Sequence, residues 1–416
     1  MRVLVADKFE PSGLAGLRDA RCEVVYEPEA KGDGLVAKIR DARPEVLVVR
    51  GNPVTPAMLD AGPLALVVRA GAGFNTIDVA AASARGIYVA NCPGKNSIAV
   101  AELTIGLLLA LDRRIPDNVA DLRAGKWNKK EYSRARGIYG STLGVIGLGS
   151  IGCEVIRRAA AFGMPIVAWS RRFDGLDRPL SGEELRELGI ESAAQLSAIR
   201  LAPSPAETAA RADALTVHVA LGKETRGLIG EAVLSRLRRG AIFLNTARGE
   251  VVDAESLARI AREKSLRLGL DVFAHEPAGG TGEFTDPIVG LPLVYGTHHI
   301  GASTEQAQEA IAAATVRIVR TYKDSGKVLH CVNLARRTPA THRLVVRHRN
   351  RPGVLAHVFE RLRDVGINVQ ETENIVFDGA EAAIARIDLD AAPARGVLEA
   401  IQADNPHVLD LKLVAI

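Results

Sequence analysis

Three glycines at the spacing G-x-G-x-x-G give the strongest chemical signal in the chain. Gly147, Gly149 and Gly152 follow an apolar stretch that begins at Leu143, and a helix-forming stretch, Glu154–Phe162, comes next. In a strand–turn–helix unit, the first glycine permits the tight turn, the second admits a pyrophosphate, and the third lets the helix pack on the strand. The phosphates then lie at the helix N-terminus. The sequence predicts a dinucleotide site formed by Gly147, Gly149, Ser150, Ile151 and Gly152.

The next predicted strand ends in Ser170, followed by Arg171 and Arg172. An acidic residue at this place holds the ribose 2′-hydroxyl of NAD, whereas guanidinium groups bind the 2′-phosphate of NADP. Two interpretations stay open. Either the arginines bind a 2′-phosphate, or they are solvated and the serine alone holds the hydroxyl of NAD. The sequence leans slightly to NADP or to the use of both cofactors.

Short apolar stretches alternate with stretches of helical length over the first three hundred residues. This alternation predicts βαβ units and parallel sheets, and nearly uninterrupted apolar strands suit a sheet covered on both faces. We therefore expect an α/β fold with two Rossmann-like, doubly wound domains. The first series of strands is Arg2–Ala6, Val46–Arg50, Leu66–Arg69 and Tyr88–Asn91. The second begins at Thr142 and continues with Pro165–Ser170, Ala214–Val219, Ala241–Asn245 and Arg267–Val272.

Two other segments have their own predictions. Ile98–Leu111 is the longest apolar run, but Glu102 and Thr104 interrupt it and it is too short to span a bilayer. We expect a core helix there. Phe173–Ala212 is rich in serine, glutamate and proline and is predicted to be an elaborated surface loop with a helix.

A third region follows the basic, proline-containing stretch Arg336–Thr341, which is typical of a linker. Its pattern of strands and helices runs in the order βαββαβ, which predicts a ferredoxin-like module. The predicted strands are Arg343–His348, Asn368–Phe377, Ala382–Leu389 and Val408–Val414, and the predicted helices are Gly353–Val365 and Ala394–Ala403.

Composition narrows the class of protein. A length of 416 residues exceeds one hydrophobic core, so two or three domains are expected. A net charge of +4 gives no support for binding nucleic acid or a membrane.

The opening MRVLVADKFE resembles a buried strand and not a signal peptide. Scattered cysteines without a CxxC pair fit reduced thiols in a cytoplasmic protein, with no metal site expected: Cys22, Cys92, Cys153 and Cys331.

Three later segments resemble the signatures of the D-2-hydroxyacid dehydrogenase family, in the family's order. They are Asn245–Gly249, Asp271–Pro277 and His298–Thr304, and the resemblance covers roughly residues 1–332. Hydride transfer between a 2-hydroxy acid and nicotinamide needs a base for the hydroxyl proton and a cation for the carboxylate. A carboxylate behind a histidine base orients its ring. The resemblance implies that these groups are the catalytic residues His299, Arg248 and Glu276, in that order.

Two histidines are adjacent here, and chemistry alone does not choose between them. The family motif reads Pro-His-Ile-Gly, so His299 is the match and His298 replaces the proline. Asp271 resembles the family residue that contacts the nicotinamide carboxamide, although a role in helix packing or in solvent stays open. The resemblance places further cofactor contacts at His218, Thr246, Ala247, Arg248 and His299.

The substrate side shows its own resemblance. Arg69–Asp78 is similar to the family's carboxylate-binding loop, in which backbone N–H groups near Ala72 and Gly73 would hold the acid, together with Arg248 and His299. Asn96 lies in a segment that links the two domains of family members. Arg50 lies where members that accept phosphorylated substrates have a basic residue. Trp127–Lys129 resembles a segment of the same enzymes, and solvated basic residues are the alternative for both.

The family also has a discontinuous layout. It implies a flavodoxin-like substrate-binding domain at 1–97 and 299–332, a dinucleotide-binding domain at 98–298, and a third domain at 340–416. In the last, His348–Leu355 and Gly366–Asn368 resemble an ACT regulatory domain. Its effector, L-serine, would be bound by His348, Asn350 and Asn368; the alternative is a dimerisation module without a ligand.

Within the family, a dehydrogenase fused to an ACT domain resembles the enzymes that oxidise 3-phosphoglycerate to 3-phosphohydroxypyruvate with NAD(P) for serine synthesis. Two alternatives stay open: an NADPH-dependent reductase of hydroxypyruvate or glyoxylate, and a non-catalytic dinucleotide-sensing binding protein. The family pairs through its cofactor domain, and ACT domains can pair as well. A homodimer or homotetramer is therefore expected, without nucleic-acid or membrane partners.

Overall fold

The computed structural model describes residues 1–277 and 281–416. It divides into two compact units, Met1–Asn333 and Leu334–Ile416. Within the described residues, no helix is both long and apolar enough to cross a membrane. The apolar run that begins at Ile98 lies in a helix whose buried side chains join the core of the first unit, as predicted.

A five-stranded parallel sheet opens the first unit, in the spatial order β2-β1-β3-β4-β5. β2 was not predicted, because Glu23 and Tyr26 are exposed at the sheet edge and interrupt the apolar pattern. The strands are β1 (Arg2–Val5), β2 (Glu23–Tyr26), β3 (Val46–Val49), β4 (Leu66–Arg69) and β5 (Tyr88–Asn91). The helices are α1 (Pro11–Asp19), α2 (Gly32–Ala42), α3 (Pro56–Leu59) and α4 (Val79–Ala84).

The second sheet of this unit has seven parallel strands in the order β12-β11-β10-β9-β6-β7-β8. Its strands are β6 (Leu143–Ile146), β7 (Ile166–Trp169), β8 (Ile199–Leu201), β9 (Ala214–Val217), β10 (Ile242–Asn245), β11 (Arg267–Leu270) and β12 (Val294–Gly296). Its helices are α5 (Ser97–Arg113), α6 (Ile115–Arg123), α7 (Lys129–Tyr132), α8 (Ser150–Ala161), α9 (Gly182–Leu188), α10 (Glu191–Leu196), α11 (Pro205–Arg211), α12 (Glu231–Leu234) and α13 (Ala254–Lys264). Single 3₁₀ turns occur at Arg171–Phe173, Gly249–Val251 and Pro287–Gly290.

The strand order of this sheet creates a crevice beside β6 where a ligand can bind. All four residues of β6, β9 and β10 are buried, which explains their uninterrupted apolar sequences. β7 and β9 lie on either side of β6, because the chain builds β7 and β8 toward one edge of the sheet and then crosses back over β6 to build β9 toward the other. The crevice at such a switch point, outside the carboxyl ends of the strands, is where open α/β sheets bind ligands.

The prediction of a loop with one helix at Phe173–Ala212 is wrong. The segment contains α9, α10, β8 and α11. Ser181 and Glu184 form a capping box that starts α9, and Leu180 and Ile190 are buried in the core. These elements have three to seven residues each, which is too short for a clear periodic pattern.

The chain returns to the first sheet through α14 (Glu305–Ser325), whose Ile311 and Ile318 share a core with Val3 and Val48. Both parallel sheets thus belong to one compact unit. The predicted division of this unit at residues 97/98 and 298/299 stays a prediction.

The second unit is a four-stranded antiparallel sheet in the order β14-β15-β13-β16. One helix connects the first strand to the second, and another connects the third to the fourth. The predicted order βαββαβ is therefore confirmed. Its core includes Leu344 and Val346 from the sheet and Val358 and Leu362 from the first helix. The elements are β13 (His342–Arg349), α15 (Val354–Asp364), β14 (Val369–Val376), β15 (Ala382–Leu389), α16 (Arg395–Ala403) and β16 (Val408–Ala415).

Candidate active site

Most predicted catalytic and cofactor residues of the first unit follow the carboxyl ends of the seven-stranded sheet. Arg248 comes three residues after β10, Asp271 follows β11 directly, and His299 comes three residues after β12. Gly147 and His218 follow β6 and β9. Because the strands are parallel, these residues share one edge of the sheet.

His299 and Glu276 form a hydrogen-bonded pair. Nδ1 of the imidazole lies 2.7 Å from Oε2 of the carboxylate, and Oε1 accepts a hydrogen bond from the Phe273 amide at 2.9 Å. Because an ionised carboxylate only accepts hydrogen bonds, Nδ1 carries a proton, and in the neutral ring Nε2 carries the lone pair. The His299 side chain is 45% exposed, so Nε2 is open to a ligand.

The Glu276 carboxylate is held in its ionised form. Burial raises its pKa, but the hydrogen bonds from His299 and from the Phe273 amide lower it, and the charge of Arg248 acts in the same direction. The net result is a pKa below the usual value for glutamate. The pair is therefore ready to stabilise a positive charge on the imidazole.

Asp271 holds the segment that carries the histidine. It is 1% exposed. Oδ1 accepts hydrogen bonds from the Thr297 hydroxyl at 2.6 Å and the Ile300 amide at 2.9 Å, and Oδ2 accepts from the Gly301 amide at 2.9 Å. The Asp271 carbonyl also accepts a hydrogen bond from the His299 amide at 2.8 Å. These bonds position His299; a contact with the nicotinamide stays a prediction.

Arg248 reaches from β10 to the glycine loop that follows β4. Its Nη2 lies 2.1 Å from where a Cβ on Gly73 would be, so only glycine leaves room for the guanidinium. Asn245 fixes the turn before it, donating to the Arg248 carbonyl at 2.9 Å and accepting from the Ala247 amide at 3.0 Å. On the other side, the Asn91 side chain donates to the Ala72 carbonyl at 2.6 Å. Arg248, the predicted cation for the substrate carboxylate, is thus in contact with the predicted carboxylate-binding loop.

Arg69 begins the predicted carboxylate-binding loop Arg69–Asp78, but the sequence interpretation gave its side chain no role. Burial, together with the positive charges of Arg248 and Arg50, lowers its pKa to about 10. Its Nε is buried without a hydrogen-bond partner among the described residues. Three arginines therefore concentrate positive charge where Arg50 and Arg248 alone were predicted. The available signal was a basic residue at the end of a predicted strand and at the start of that loop.

The glycine turn after β6 fits a dinucleotide pyrophosphate. Gly147 has φ +107°, and a Cβ there would meet the His218 carbonyl oxygen at 2.5 Å. A Cβ on Gly152 would meet the Gly147 carbonyl oxygen at 2.0 Å, whereas Gly149 faces open space. α8 begins at Ser150 with no side-chain cap and no acidic residue in its first turn. Its first N–H groups are therefore available to phosphate oxygens.

His218 also indicates that a polar ligand binds beside the glycine turn. Nε2 lies 2.8 Å from the Thr216 hydroxyl, while Nδ1 is buried and has no partner among the described residues. Burial lowers its pKa to about 3, so the ring is neutral. An unpartnered polar atom beside the glycine turn is what a bound polar ligand would satisfy.

The two predicted 2′-phosphate ligands are paired in the protein. Arg171 forms an ion pair with Glu224, and Arg172 pairs with Glu187 while lying 4.9 Å from the Phe173 ring centroid. Arg171 and Glu224 are 79% and 71% exposed, and ion pairs so exposed are weak. A 2′-phosphate at this place would have to compete with these carboxylates for the arginines. Ser170, which precedes them, is extended.

The predicted substrate residue Asn96 and the predicted cofactor residue Thr246 both lie next to α5. Asn96 precedes the helix, and its Oδ1 is buried without a partner among the described residues. The Thr246 hydroxyl lies 2.9 Å from that of Thr104 on α5, which fixes the turn after β10.

The three predicted effector residues lie in the second unit. His348 is 2% exposed, and its ring nitrogens lie 2.8 Å from the Arg349 carbonyl oxygen and 3.1 Å from Oδ1 of Asn374. Asn350 is exposed and donates to the Ala380 carbonyl at 2.9 Å. Asn368 is exposed. The two asparagines are accessible to a ligand, whereas His348 already has contacts within its unit, and the role of all three stays a prediction.

Comparison with known proteins gives consistent matches. The family model of the D-isomer specific 2-hydroxyacid dehydrogenase NAD-binding domain matches residues 105–301. A D-3-phosphoglycerate dehydrogenase of Methanocaldococcus jannaschii is 39% identical over 313 residues, 74% of this chain and 55% of that protein. A hydroxypyruvate reductase of Thermotoga maritima is 37% identical over 68% of this chain and 85% of that protein.

Solved structures give the same result. An NADPH-dependent glyoxylate/hydroxypyruvate reductase of Sinorhizobium meliloti superposes with a TM-score of 0.67 at 28% identity, over 81% of this chain and 99% of that one. The chain spans about half the length of the curated phosphoglycerate dehydrogenases that it matches.

Proposed function

Because the chain belongs to the D-isomer specific 2-hydroxyacid dehydrogenase family, we propose that it oxidises D-3-phosphoglycerate to 3-phosphohydroxypyruvate with NAD or NADP. Residues 1–97 and 299–332 would hold the substrate and residues 98–298 the cofactor. The single observation that carries the choice of substrate is the convergence of Arg50, Arg69 and Arg248 beside the glycine loop.

The charge of the substrate explains this choice. 3-Phosphoglycerate carries a carboxylate at one end and a phosphate at the other, whereas glyoxylate carries a single carboxylate. Arg69 is largely buried and lies among like charges, which is costly unless an anion compensates them. A substrate with both groups compensates all three arginines, because the carboxylate carries one negative charge and the phosphate carries nearly two. Guanidinium groups suit both of its ends, because their paired donors match carboxylate and phosphate oxygens.

The residues of the site can carry out the chemistry as follows. Bound nicotinamide supplies the hydride acceptor. Nε2 of His299 accepts the proton of the C2 hydroxyl, and Glu276 stabilises the resulting imidazolium through Nδ1. Arg248 holds the substrate carboxylate and polarises the developing carbonyl. Backbone N–H groups near Ala72 and Gly73 orient the acid on its other side.

A reductase acting on hydroxypyruvate or glyoxylate is the second candidate. It is favoured by the Thermotoga maritima relative, which this chain matches over 85% of that protein's length, and by the arginines that follow Ser170. The third candidate, a binding protein without turnover, would have no use for the 2.7 Å contact between His299 and Glu276.

The second unit would then be an ACT regulatory domain. We propose that it binds L-serine through Asn350 and Asn368, with His348 behind them, and that the protein works as a homodimer or homotetramer. Feedback requires that serine bind one conformational state more tightly than the other. The ferredoxin-like order of its elements supports this assignment.

The test is steady-state oxidation of 3-phosphoglycerate with NAD and NADP in parallel, each with and without serine, beside reduction of hydroxypyruvate and glyoxylate. We expect turnover of 3-phosphoglycerate that serine suppresses. Rapid reduction of glyoxylate or hydroxypyruvate, with no oxidation of 3-phosphoglycerate, would assign the reductase function. Failure of every cofactor and substrate pair would leave the binding protein.

A further inference from the structure

A second polar cavity lies at the edge of the seven-stranded sheet opposite the candidate active site. It encloses about 90 Å³. Its lining includes residues at the amino ends of four neighbouring strands: Ser141 precedes β6, Asp213 precedes β9, Ala241 precedes β10, and Arg267 begins β11. The volume suits a few water molecules or one small ion, and is too small for a nucleotide.

The lining carries an excess of positive charge. Four arginines contribute to it, Arg136, Arg238, Arg239 and Arg267, against two carboxylates, Asp112 and Asp213. Four positive charges less two negative charges leave a formal excess of two positive charges.

The first carboxylate, Asp213, is already shared by two of the four arginines. Oδ1 accepts from Nη1 of Arg136 at 3.0 Å and from Nη1 of Arg238 at 2.9 Å, and Oδ2 accepts from the Thr142 amide at 2.9 Å. Its charge is therefore balanced locally by two guanidinium groups. Arg239 has no ion-pair partner among the described residues, and it donates from Nη1 to the Glu263 carbonyl at 3.1 Å and from Nη2 to the Ser265 hydroxyl at 3.4 Å.

Arg267 has one distant carboxylate partner, Asp112. Its side chain is 22% exposed, and its Nε donates to the Gly240 carbonyl at 3.1 Å. Nη1 lies 3.9 Å from Oδ1 of Asp112, which is beyond hydrogen-bond distance. That oxygen instead accepts from the Gly137 amide at 3.2 Å. Burial lowers the pKa of Arg267, Asp112 opposes the effect, and the nearby charge of Arg136 adds to it.

We propose that this cavity binds a small tetrahedral oxyanion, either free phosphate or the phosphoryl group of a small metabolite. Guanidinium groups bind such oxygens through paired, charge-assisted hydrogen bonds. Arg267 supplies donors from the sheet and Arg239 from the turn before β10, while Asp112 and Asp213 keep the arginines apart and oriented. An anion here neutralises the excess of positive charge.

The test is isothermal titration calorimetry of the full chain with inorganic phosphate, at constant ionic strength maintained with chloride. We expect Arg267→Gln and Arg239→Gln each to weaken one phosphate-binding event at least tenfold. Arg50→Gln is the matched control, because it removes a cation from the candidate substrate site and leaves the cavity unchanged. Arg239 is exposed, so its variant gives an answer even if Arg267→Gln fails to fold.

The titrations separate the two sources and decide the proposal. If a monophosphorylated metabolite such as glycerol 3-phosphate competes for the event lost in Arg267→Gln, the cavity accepts a phosphoryl group; if only free phosphate binds, it is an ion site. Binding that is unchanged in both cavity variants, binding lost only in Arg50→Gln, or no binding at all would overturn the proposal. Because the readout is binding and not turnover, the result is independent of the proposed function.

Discussion

Nδ1 of His299 and Oε2 of Glu276 lie 2.7 Å apart, although the two residues come from different loops of the same sheet edge. The glutamate follows β11 and the histidine follows β12. The contact fixes the tautomer, so that Nε2 is the atom free to exchange a proton with a substrate.

Replacing His299 with alanine is expected to abolish turnover and to leave cofactor affinity nearly unchanged, because the ring acts on the substrate proton. Turnover is measured at steady state and NAD(P)H affinity by fluorescence titration. His298→Ala is the matched control and should retain activity. Activity that survives in the His299 variant and disappears in the His298 variant would reverse the assignment.

Replacing Glu276 with glutamine should lower kcat by about 10²-fold or more, since the imidazolium loses its counter-charge. A second readout is stability against pH. The folded pKa of Glu276 is lowered, so its contribution is present above the unfolded value of about 4.3 and is lost as the pH falls through the folded pKa. The difference in free energy of unfolding between the two proteins should shrink between about pH 5 and pH 3. A constant difference would exclude the pair as its source.

Gly73→Ala should reduce kcat/KM for the substrate at least tenfold while the protein stays folded. The added Cβ would lie 2.1 Å from Nη2 of Arg248, so the guanidinium must leave its position. Gly34→Ala on α2 is the control, because no atom lies within 4 Å of its added Cβ. Unchanged kinetics for Gly73→Ala would show that this position of the arginine is not the one that acts.

Glu224→Gln should strengthen binding of 2′,5′-ADP relative to 5′-AMP by up to about fivefold, the scale of an exposed ion pair. The substitution frees Arg171 for a 2′-phosphate. Glu187→Gln makes the same change beside Arg172. Calorimetry with both nucleotides measures the ratio without turnover. If neither variant shifts the ratio, the arginines do not contact the 2′-position.

Much of the fold could be predicted from the sequence, because apolar strands buried on both faces have an unmistakable pattern. β4, β5 and β15 have the predicted bounds. The strands that were missed are β2, β8 and β12. They have three or four residues each, lie at or beside sheet edges, and include exposed or half-buried positions such as Glu23 and Arg200.

The site was predictable to the extent that its residues lie in local motifs. The glycine turn and the contact between His299 and Glu276 are of that kind. Arg69 was missed because its importance comes from burial and from neighbours far away in sequence. The pairing of Arg171 with Glu224 joins loops 53 residues apart and could not be seen in either one.

His299 has φ +53°, a left-handed conformation that glycine adopts without strain and that costs every other residue type some backbone strain, although histidine tolerates it better than most. The histidine is therefore kept at a position where other residues would make a more stable protein. Selection for stability alone would remove it, and selection for chemistry has to act continuously to retain it. In a descendant released from its catalytic task, a glycine or asparagine at this position would relieve the strain at the cost of turnover.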